Sequence, residues 1–253
     1  MDFESIIRNS GLDRYDRNAR LYPALLCILP VFAIVILWFP PAWTMIGGLL
    51  SIAVTFGGIY LLAQVVRYRG RTVENRLGRR VGRAKTASLL CHNNNELPAN
   101  SKLRYHAFLR KKGQPIPTHE EEQANPEAAY EAFRAAVDWL LIYTRPNAKA
   151  SGLLSENISY GFRRNLLGLK PVAIFFLGLA IVANGYMCWI SGNKDQIVAA
   201  LVVEILFACA LAAWLFVIRP GFVEDASAAY AKRFLEQCEQ KSGTPRNPSP
   251  SRQ

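Results

Sequence analysis

The residues with the clearest potential for chemistry lie in a basic and aromatic segment, residues 144–171. Arginine offers paired N–H donors to a phosphate or carboxylate, and a neighbouring aromatic ring can stack on a nucleobase. The segment therefore predicts an anion- or nucleotide-binding site with the candidate residues Arg145, Lys149, Tyr160, Arg163 and Arg164. A second interpretation, favoured by the residues alone, is that this segment is held to lipid headgroups by its basic side chains.

A carboxylate inside an apolar stretch is the second group of interest. Glu204 is the only charged residue between positions 196 and 218. A carboxylate at the centre of a bilayer costs about 2.5–3.5 kcal/mol on insertion scales, so we expect Glu204 to face protein or a water-filled cavity. Asn184, in the preceding apolar stretch, lies at a similar depth of about 9–12 Å from the turn that joins them. A hydrogen bond between Asn184 and Glu204, within one chain or between copies, is therefore predicted.

Small residues recur at about four-residue spacing in two apolar stretches. Rows of this kind let a second helix approach closely. The rows are Ala200, Glu204, Ala208 and Ala212 in one stretch, and Gly47, Ser51, Thr55 and Gly58 in another. They predict helix packing and a homo-oligomer. Two interpretations of Glu204 stay open: it fastens the bundle or oligomer, or its copies form a ring that admits cations.

Catalytic and metal-binding motifs are absent from the sequence. It contains no phosphate-binding loop, no His-Glu-x-x-His and no Gly-x-Ser-x-Gly, and its five cysteines have no paired spacing. The three histidines, His92, His106 and His119, are far apart in sequence, and each is expected to be a solvated loop or helix residue. We therefore expect a non-enzymatic protein with no metal and no cofactor.

Four apolar stretches, 22–39, 43–66, 171–190 and 196–218, dominate the sequence. Each has about the length needed to span a hydrocarbon core of about 30 Å. The sequence therefore predicts an all-α integral membrane protein with four transmembrane helices in two hairpins. A helical cytoplasmic domain is predicted between the second and third spans.

The distribution of basic residues predicts the orientation. The net charge is +11, and all but one of the 30 Lys and Arg residues lie outside the two short hairpin turns. Loops rich in Lys and Arg stay in the cytoplasm, so both termini and the middle domain are predicted to be cytoplasmic. The positive charge is thereby accounted for, and no direct nucleic-acid binding is expected.

These expectations divide the chain into five parts. They are a cytoplasmic N-terminal segment (1–20), a transmembrane hairpin (21–66), a cytoplasmic helical domain (67–170), a second hairpin (171–218) and a cytoplasmic tail with a disordered end (219–253). Within the middle domain, an amphipathic helix is predicted after the N-cap Asn125 and the first-turn Pro126. Its apolar face comprises Tyr130, Phe133, Val137, Leu140 and Leu141.

Two motifs resemble those of a known family. The segments DRYDRNARLYP, before the first span, and SENISYGFRRNLLGLKP, before the third, are similar to segments of four-helix membrane effectors of bacterial anti-phage defence, of the cyclic-oligonucleotide-based (CBASS) type. The resemblance implies an inner-membrane effector that binds a cyclic nucleotide, oligomerises and permeabilises the membrane. The alternative is a membrane sensor or scaffold that recruits a soluble defence partner without forming a pore.

Overall fold

The structure, a computed structural model, describes residues 13–39, 58–145 and 152–242. These residues form helices and connecting turns, and none of them lies in a β-strand, which confirms the predicted all-α class for this part of the chain. Several sequence predictions fall outside the described residues: the segment 1–12, most of the second apolar stretch with Gly47, Ser51 and Thr55, the candidate ligand residue Lys149, and the C-terminal end 243–253.

The helices are numbered in chain order. They are α1 (Arg14–Trp38), α2 (Gly58–Leu77), α3 (Gly82–Leu90), α4 (Ala99–Lys111), α5 (His119–Ala124), α6 (Pro126–Thr144), α7 (Leu153–Ile190), α8 (Lys194–Phe216), α9 (Pro220–Leu235) and α10 (Gln237–Ser242). A π-helical turn, Arg17–Leu21, lies within α1, and a short 3-10 helix, Gly78–Arg80, follows α2.

Three helices, α1, α7 and α8, are long and apolar enough to cross a membrane. They correspond to the first, third and fourth predicted spans. The second predicted span is described only from Gly58, where α2 begins, and α2 continues beyond the apolar stretch to Leu77. The described chain thus has the helices expected of a multi-pass membrane protein.

The described residues fall into two compact units. The apolar unit lies within Met1–Arg76 and Ile158–Val223, and the polar unit lies within Leu77–Asn157 and Glu224–Gln253. In the apolar unit, α1, α2, α7 and α8 share one hydrophobic core. The buried residues of α8 recur at every seventh position and are Ala200, Phe207 and Trp214. A seven-residue period keeps one narrow stripe of a helix against its neighbours, and this stripe is called the α8 seam below.

Glycine permits a very close approach between α2 and α7. A Cβ atom added to Gly168 would lie 2.8 Å from the carbonyl carbon of Arg69 and 3.1 Å from the backbone nitrogen of Gly70. Since these neighbours are backbone atoms, they cannot move aside as the end of a side chain can. The contact between α2 and α7 therefore depends on the missing side chain at position 168.

The polar unit is built around α3 and α6 and also contains α4, α5, α10 and the part of α9 from Glu224 onward. Asn125 caps α6 by accepting a hydrogen bond from the backbone nitrogen of Ala128 at 3.1 Å, as predicted. The predicted apolar face of α6 is buried at Tyr130, Phe133, Val137 and Leu140, while Leu141 is half-buried. Periodicity alone therefore identified the buried face of this helix.

Substitution of Gly168 by alanine tests the contact between α2 and α7. We expect Gly168→Ala to lower the stability of the chain in detergent by about 1–3 kcal/mol, because the new methyl group overlaps with the backbone of α2. Gly178→Ala in the same helix is the matched control, since nothing lies within 4 Å of its added Cβ atom. The control is expected to be neutral or slightly stabilising, because alanine favours helix over glycine. Equal shifts of Tm for the two variants would contradict the proposed contact.

Candidate functional site

A buried asparagine is the centre of the polar groups inside the apolar unit. Asn184 on α7 is completely buried. Its Nδ2 donates to Oε2 of Glu204 at 2.7 Å and to the carbonyl oxygen of Ala200 at 2.9 Å, both on α8. Its Oδ1 accepts a hydrogen bond from Nε1 of Trp38 on α1 at 2.9 Å. The predicted hydrogen bond between Asn184 and Glu204 is thus present within one chain, and the same amide joins three helices.

The local sequence explains how one amide reaches two groups on α8. Ala200 and Glu204 lie one helical turn apart, so the carbonyl oxygen of the first and the carboxyl group of the second face the same neighbour. Because the side chain of Ala200 is a single methyl group, Asn184 can approach the α8 backbone closely. The contribution of Trp38 has no counterpart in the sequence predictions, since a tryptophan at the end of an apolar stretch is usual in membrane helices.

The row of small residues on α8 turns from the interior to the surface of the chain. Ala200 is buried, Glu204 is half-buried, and Ala208 and Ala212 are exposed. At 3.6 residues per turn, each step of four residues advances about 40° beyond a full turn, so the row departs from the α8 seam. Of the three alanines in the row, only Ala200 is therefore buried within the described bundle. Gly58, the one described member of the second row, is half-buried at the start of α2.

Two of the five candidate ligand residues lie in the interior of the apolar unit. Nη1 of Arg164 donates to Oε2 of Glu74 on α2 at 2.6 Å, and its guanidinium carbon lies 5.4 Å from the ring centroid of Tyr160. Both Tyr160 and Arg164 are buried. The anionic partner of Arg164 is therefore a carboxylate of the same chain. Glu74 was not predicted as a site residue, although it is the only acidic residue in the basic run 67–85.

Other basic residues of the segment bind the end of α8, the turn after it and the first turn of α9. Nη1 of Arg163 donates to the carbonyl oxygen of Phe222 at 3.2 Å, and the guanidinium lies over the ring of Phe222 at 4.4 Å. Nζ of Lys170 donates to the carbonyl oxygens of Leu215 at 3.1 Å and Ile218 at 2.9 Å. Cations at the last carbonyls of a helix are stabilising because of the helix dipole.

Arg145 belongs to the polar unit, where it is exposed at the end of α6. It is thus the described candidate residue whose side chain is most accessible to a solute. Binding of a nucleotide by any of the five residues stays a prediction.

The three histidines form a cluster in the polar unit, which corrects the expectation that each is a solvated residue. The ring centroid of His92 lies 4.8 Å from that of His106 and 5.7 Å from that of His119. His106 is only 2% exposed, and its ring stacks on Phe133. His92 is half-buried, and His119 alone is exposed. The sequence could not show this proximity, because the three residues come from different segments.

Hydrogen bonds to backbone carbonyls determine the tautomers of two of these rings. Nε2 of His106 lies 2.8 Å from the carbonyl oxygen of Leu90, and Nε2 of His92 lies 3.0 Å from that of Pro117. Because a carbonyl oxygen can only accept, Nε2 carries the proton in both rings. Burial lowers the pKa of His106 to about 4, and the nearby His92, Arg110 and Lys102 act in the same direction. His106 is therefore neutral at physiological pH.

Two buried charged side chains hold the loop that carries His92. Nζ of Lys102 donates to the carbonyl oxygens of Cys91 at 2.7 Å and His92 at 3.2 Å, and also to that of Asn94. A carboxyl oxygen of Glu122 accepts from the backbone nitrogen of His92 at 2.7 Å. An open cavity of about 480 Å³ lies beside this loop and is lined in part by His92, Lys102 and His106. Since all three N–H donors of Lys102 are used, its role is to order the loop.

The described residues contain no group of three or more His, Cys, Asp or Glu side chains that could hold a metal ion. Comparisons of the chain with protein-family models, with curated proteins and with solved structures find no match.

Substitution of Asn184 tests its role in joining the helices. We expect Asn184→Leu to destabilise the chain by about 1–2 kcal/mol, because Glu204 and Trp38 lose their partner in an apolar environment. Glu204→Gln is the matched variant, since its amide oxygen can still accept from Asn184, and it should cost less. Thermal unfolding in lipid nanodiscs measures both. A stability loss for Glu204→Gln as large as that for Asn184→Leu would contradict the central role of Asn184, because the carboxylate would then matter as much as the asparagine.

The buried His106 predicts a loss of stability in acid. Its pKa is about 4 in the folded chain and about 6.5 when unfolded, so the unfolded state binds the proton first as the pH falls. The stabilisation is complete above pH 6.5 and is lost progressively between about pH 6.5 and 4, by about 1–3 kcal/mol. Unfolding of the full chain should become less pH-dependent over this range in His106→Gln. Parallel pH profiles for the variant and the wild type would rule out His106 as the source.

Proposed function

We propose that this chain is an inner-membrane protein with four transmembrane helices and cytoplasmic termini that oligomerises through α8 and permeabilises the membrane on a cytoplasmic signal. The observation that carries the proposal is the combination of a half-buried Glu204 with exposed Ala208 and Ala212 along one flank of α8. This flank is called the alanine flank below. It offers a second copy a surface on which helices can pack closely.

The state of Glu204 supports assembly at the alanine flank. Among the described residues, Asn184 is the only hydrogen-bond donor to its side chain, and it occupies a single carboxyl oxygen. A carboxyl group that is partly exposed to hydrocarbon is costly, so a surface that covers it stabilises the protein. Copies of α8 around a symmetry axis would cover Glu204 and bring several carboxyl groups together. Such a ring of carboxylates favours the passage of cations.

The defence context of the proposal comes from the resemblance to anti-phage membrane effectors. In this context the signal is a cyclic nucleotide, and loss of membrane integrity leads to death or growth arrest of the infected cell. The exposed guanidinium of Arg145 is the described group most suited to a phosphate, because Arg164 already pairs with Glu74 and Arg163 with the carbonyl oxygen of Phe222.

A second candidate function is that of a membrane-bound scaffold that recruits a soluble defence partner. It is favoured by an apolar patch on α6 in the polar unit. Ile142 is 72% exposed, and it lies next to the stacked rings of Trp139 and Tyr143, whose centroids are 4.8 Å apart. Exposed aromatic and aliphatic side chains together are typical of protein-binding surfaces. In this alternative the membrane stays intact.

Leakage from liposomes, together with the oligomeric state, tests the proposal. The full chain is reconstituted with an ion-sensitive dye inside and is then exposed to a panel of cyclic di- and trinucleotides. We expect leakage with one nucleotide, and a reduction of at least tenfold in Ala208→Leu, because the larger side chain separates the packed helices. Ala199→Leu is the matched control, since Ala199 is also exposed on α8 but points away from the alanine flank.

The outcomes separate the two functions. Leakage and oligomer size that are the same in Ala208→Leu and Ala199→Leu would contradict assembly through the alanine flank. Folded, inserted protein that causes no leakage under any condition would favour the scaffold. In that case, Ile142→Asp should abolish capture of the soluble partner without any effect on the membrane.

A further inference from the structure

An apolar groove runs between α1 and α8 in the apolar unit. Its volume is about 300 Å³, and its walls include Pro30 and Ala33 of α1 and Phe207 and Ala210 of α8. Leu29 and Leu206 also line it and are 54% and 61% exposed, so the groove is open to the surroundings of the chain. The short side chains of Ala33 and Ala210 leave room between the two helices, and larger residues around them form the rim.

One end of the groove meets a basic surface. Leu166 and Ile218 line this end, and Nζ of Lys170, one turn after Leu166 on α7, donates to the carbonyl oxygen of Ile218 at 2.9 Å. A lysine ammonium has three N–H donors, and two of those of Lys170 are used by Ile218 and Leu215. The third has no acceptor among the described residues. Arg219, directly after Ile218, is exposed.

The apolar groove matches the acyl chain of a phospholipid, and the basic residues at its end match the phosphate. An apolar groove in a membrane-crossing bundle is surrounded by acyl chains, and cations beside it attract a phosphate. No residue of the described part of α2 lines the groove. The groove is also separate from the alanine flank, because Ala208 and Ala210 lie about 160° apart around α8.

We propose that the groove binds an acyl chain of one acidic phospholipid, and that the phosphate of this lipid contacts Lys170 and Arg219. The lipid fills the space between α1 and α8 that short side chains leave open. Its phosphate accepts hydrogen bonds from the third N–H of Lys170 and from the exposed guanidinium of Arg219. The inference does not depend on whether the chain forms a pore.

Native mass spectrometry of the delipidated full chain, in mild detergent with added phosphatidylglycerol or phosphatidylcholine of the same acyl composition, tests the proposal. We expect about one phosphatidylglycerol to be retained per chain, with at least fivefold preference over phosphatidylcholine. Ala210→Phe, which fills the groove from α8, should abolish retention. Val198→Phe introduces the same ring at an exposed position of α8 about 120° around the helix from Ala210, outside the groove, and should retain the lipid. Ala33→Leu fills the groove from α1 with a smaller side chain. It replaces Ala210→Phe as the groove-filling variant if that variant does not fold.

The headgroup contact has its own variant. Arg219→Gln should lower the preference for phosphatidylglycerol several-fold and leave binding of phosphatidylcholine unchanged. Equal retention of lipid by the groove-filling variants and the wild type would overturn the proposal, as would equal binding of the two lipids by the wild type. A disulfide between copies of Ala210→Cys would show that a second copy occupies the groove, and would also overturn it. Because lipid is counted per chain, a failure of the proposed oligomerisation would leave these results interpretable.

Discussion

The hydrogen bonds of Asn184 are the constraint on which the apolar unit depends. The hydrocarbon core of a bilayer offers no water to a polar group, so each donor and acceptor there must be paired within the protein. The amide of Asn184 meets this requirement with Trp38 on α1 and with Ala200 and Glu204 on α8. Such bonds average only about 0.6 kcal/mol in membrane bundles. Their main effect is therefore on the relative register of α1, α7 and α8, because a shift by one turn would leave several polar atoms unpaired.

The register of α8 in turn determines which of its residues are exposed on the surface of the apolar unit. Its buried residues repeat every seven positions, and this leaves two flanks of different character. The alanine flank carries Glu204, whose carboxyl group is paired once and partly exposed. The other flank borders the apolar groove. A single helix thus provides one surface suited to another copy of the chain and one suited to a lipid. Binding at one surface does not depend on binding at the other.

Basic residues close to the spans are used largely to hold the apolar unit together. Arg164 pairs with Glu74, and Arg163 and Lys170 bind carbonyl oxygens at and after the end of α8. Pairing of this kind is required for a buried guanidinium, because an isolated buried charge is very costly. The polar unit follows the same rule, since the buried Lys102 and Glu122 donate to and accept from the backbone of one loop. Of the described candidate cations, Arg163 and Arg164 thus already have a partner in the fold, while Arg145 is exposed.

The all-α class, the apolar stretches of α1, α7 and α8, and the buried face of α6 could be predicted from the sequence, because each depends on the length or period of a local pattern. The sequence also indicated the bond between Asn184 and Glu204, since the short turn between α7 and α8 relates their depths directly. Three other contacts became visible only in the folded chain: Trp38 completes this cluster, Glu74 neutralises Arg164, and the three histidines come together, with His92 and His106 beside Phe133. These contacts join residues from separate segments, and their pairing depends on how whole helices pack, which no local period encodes.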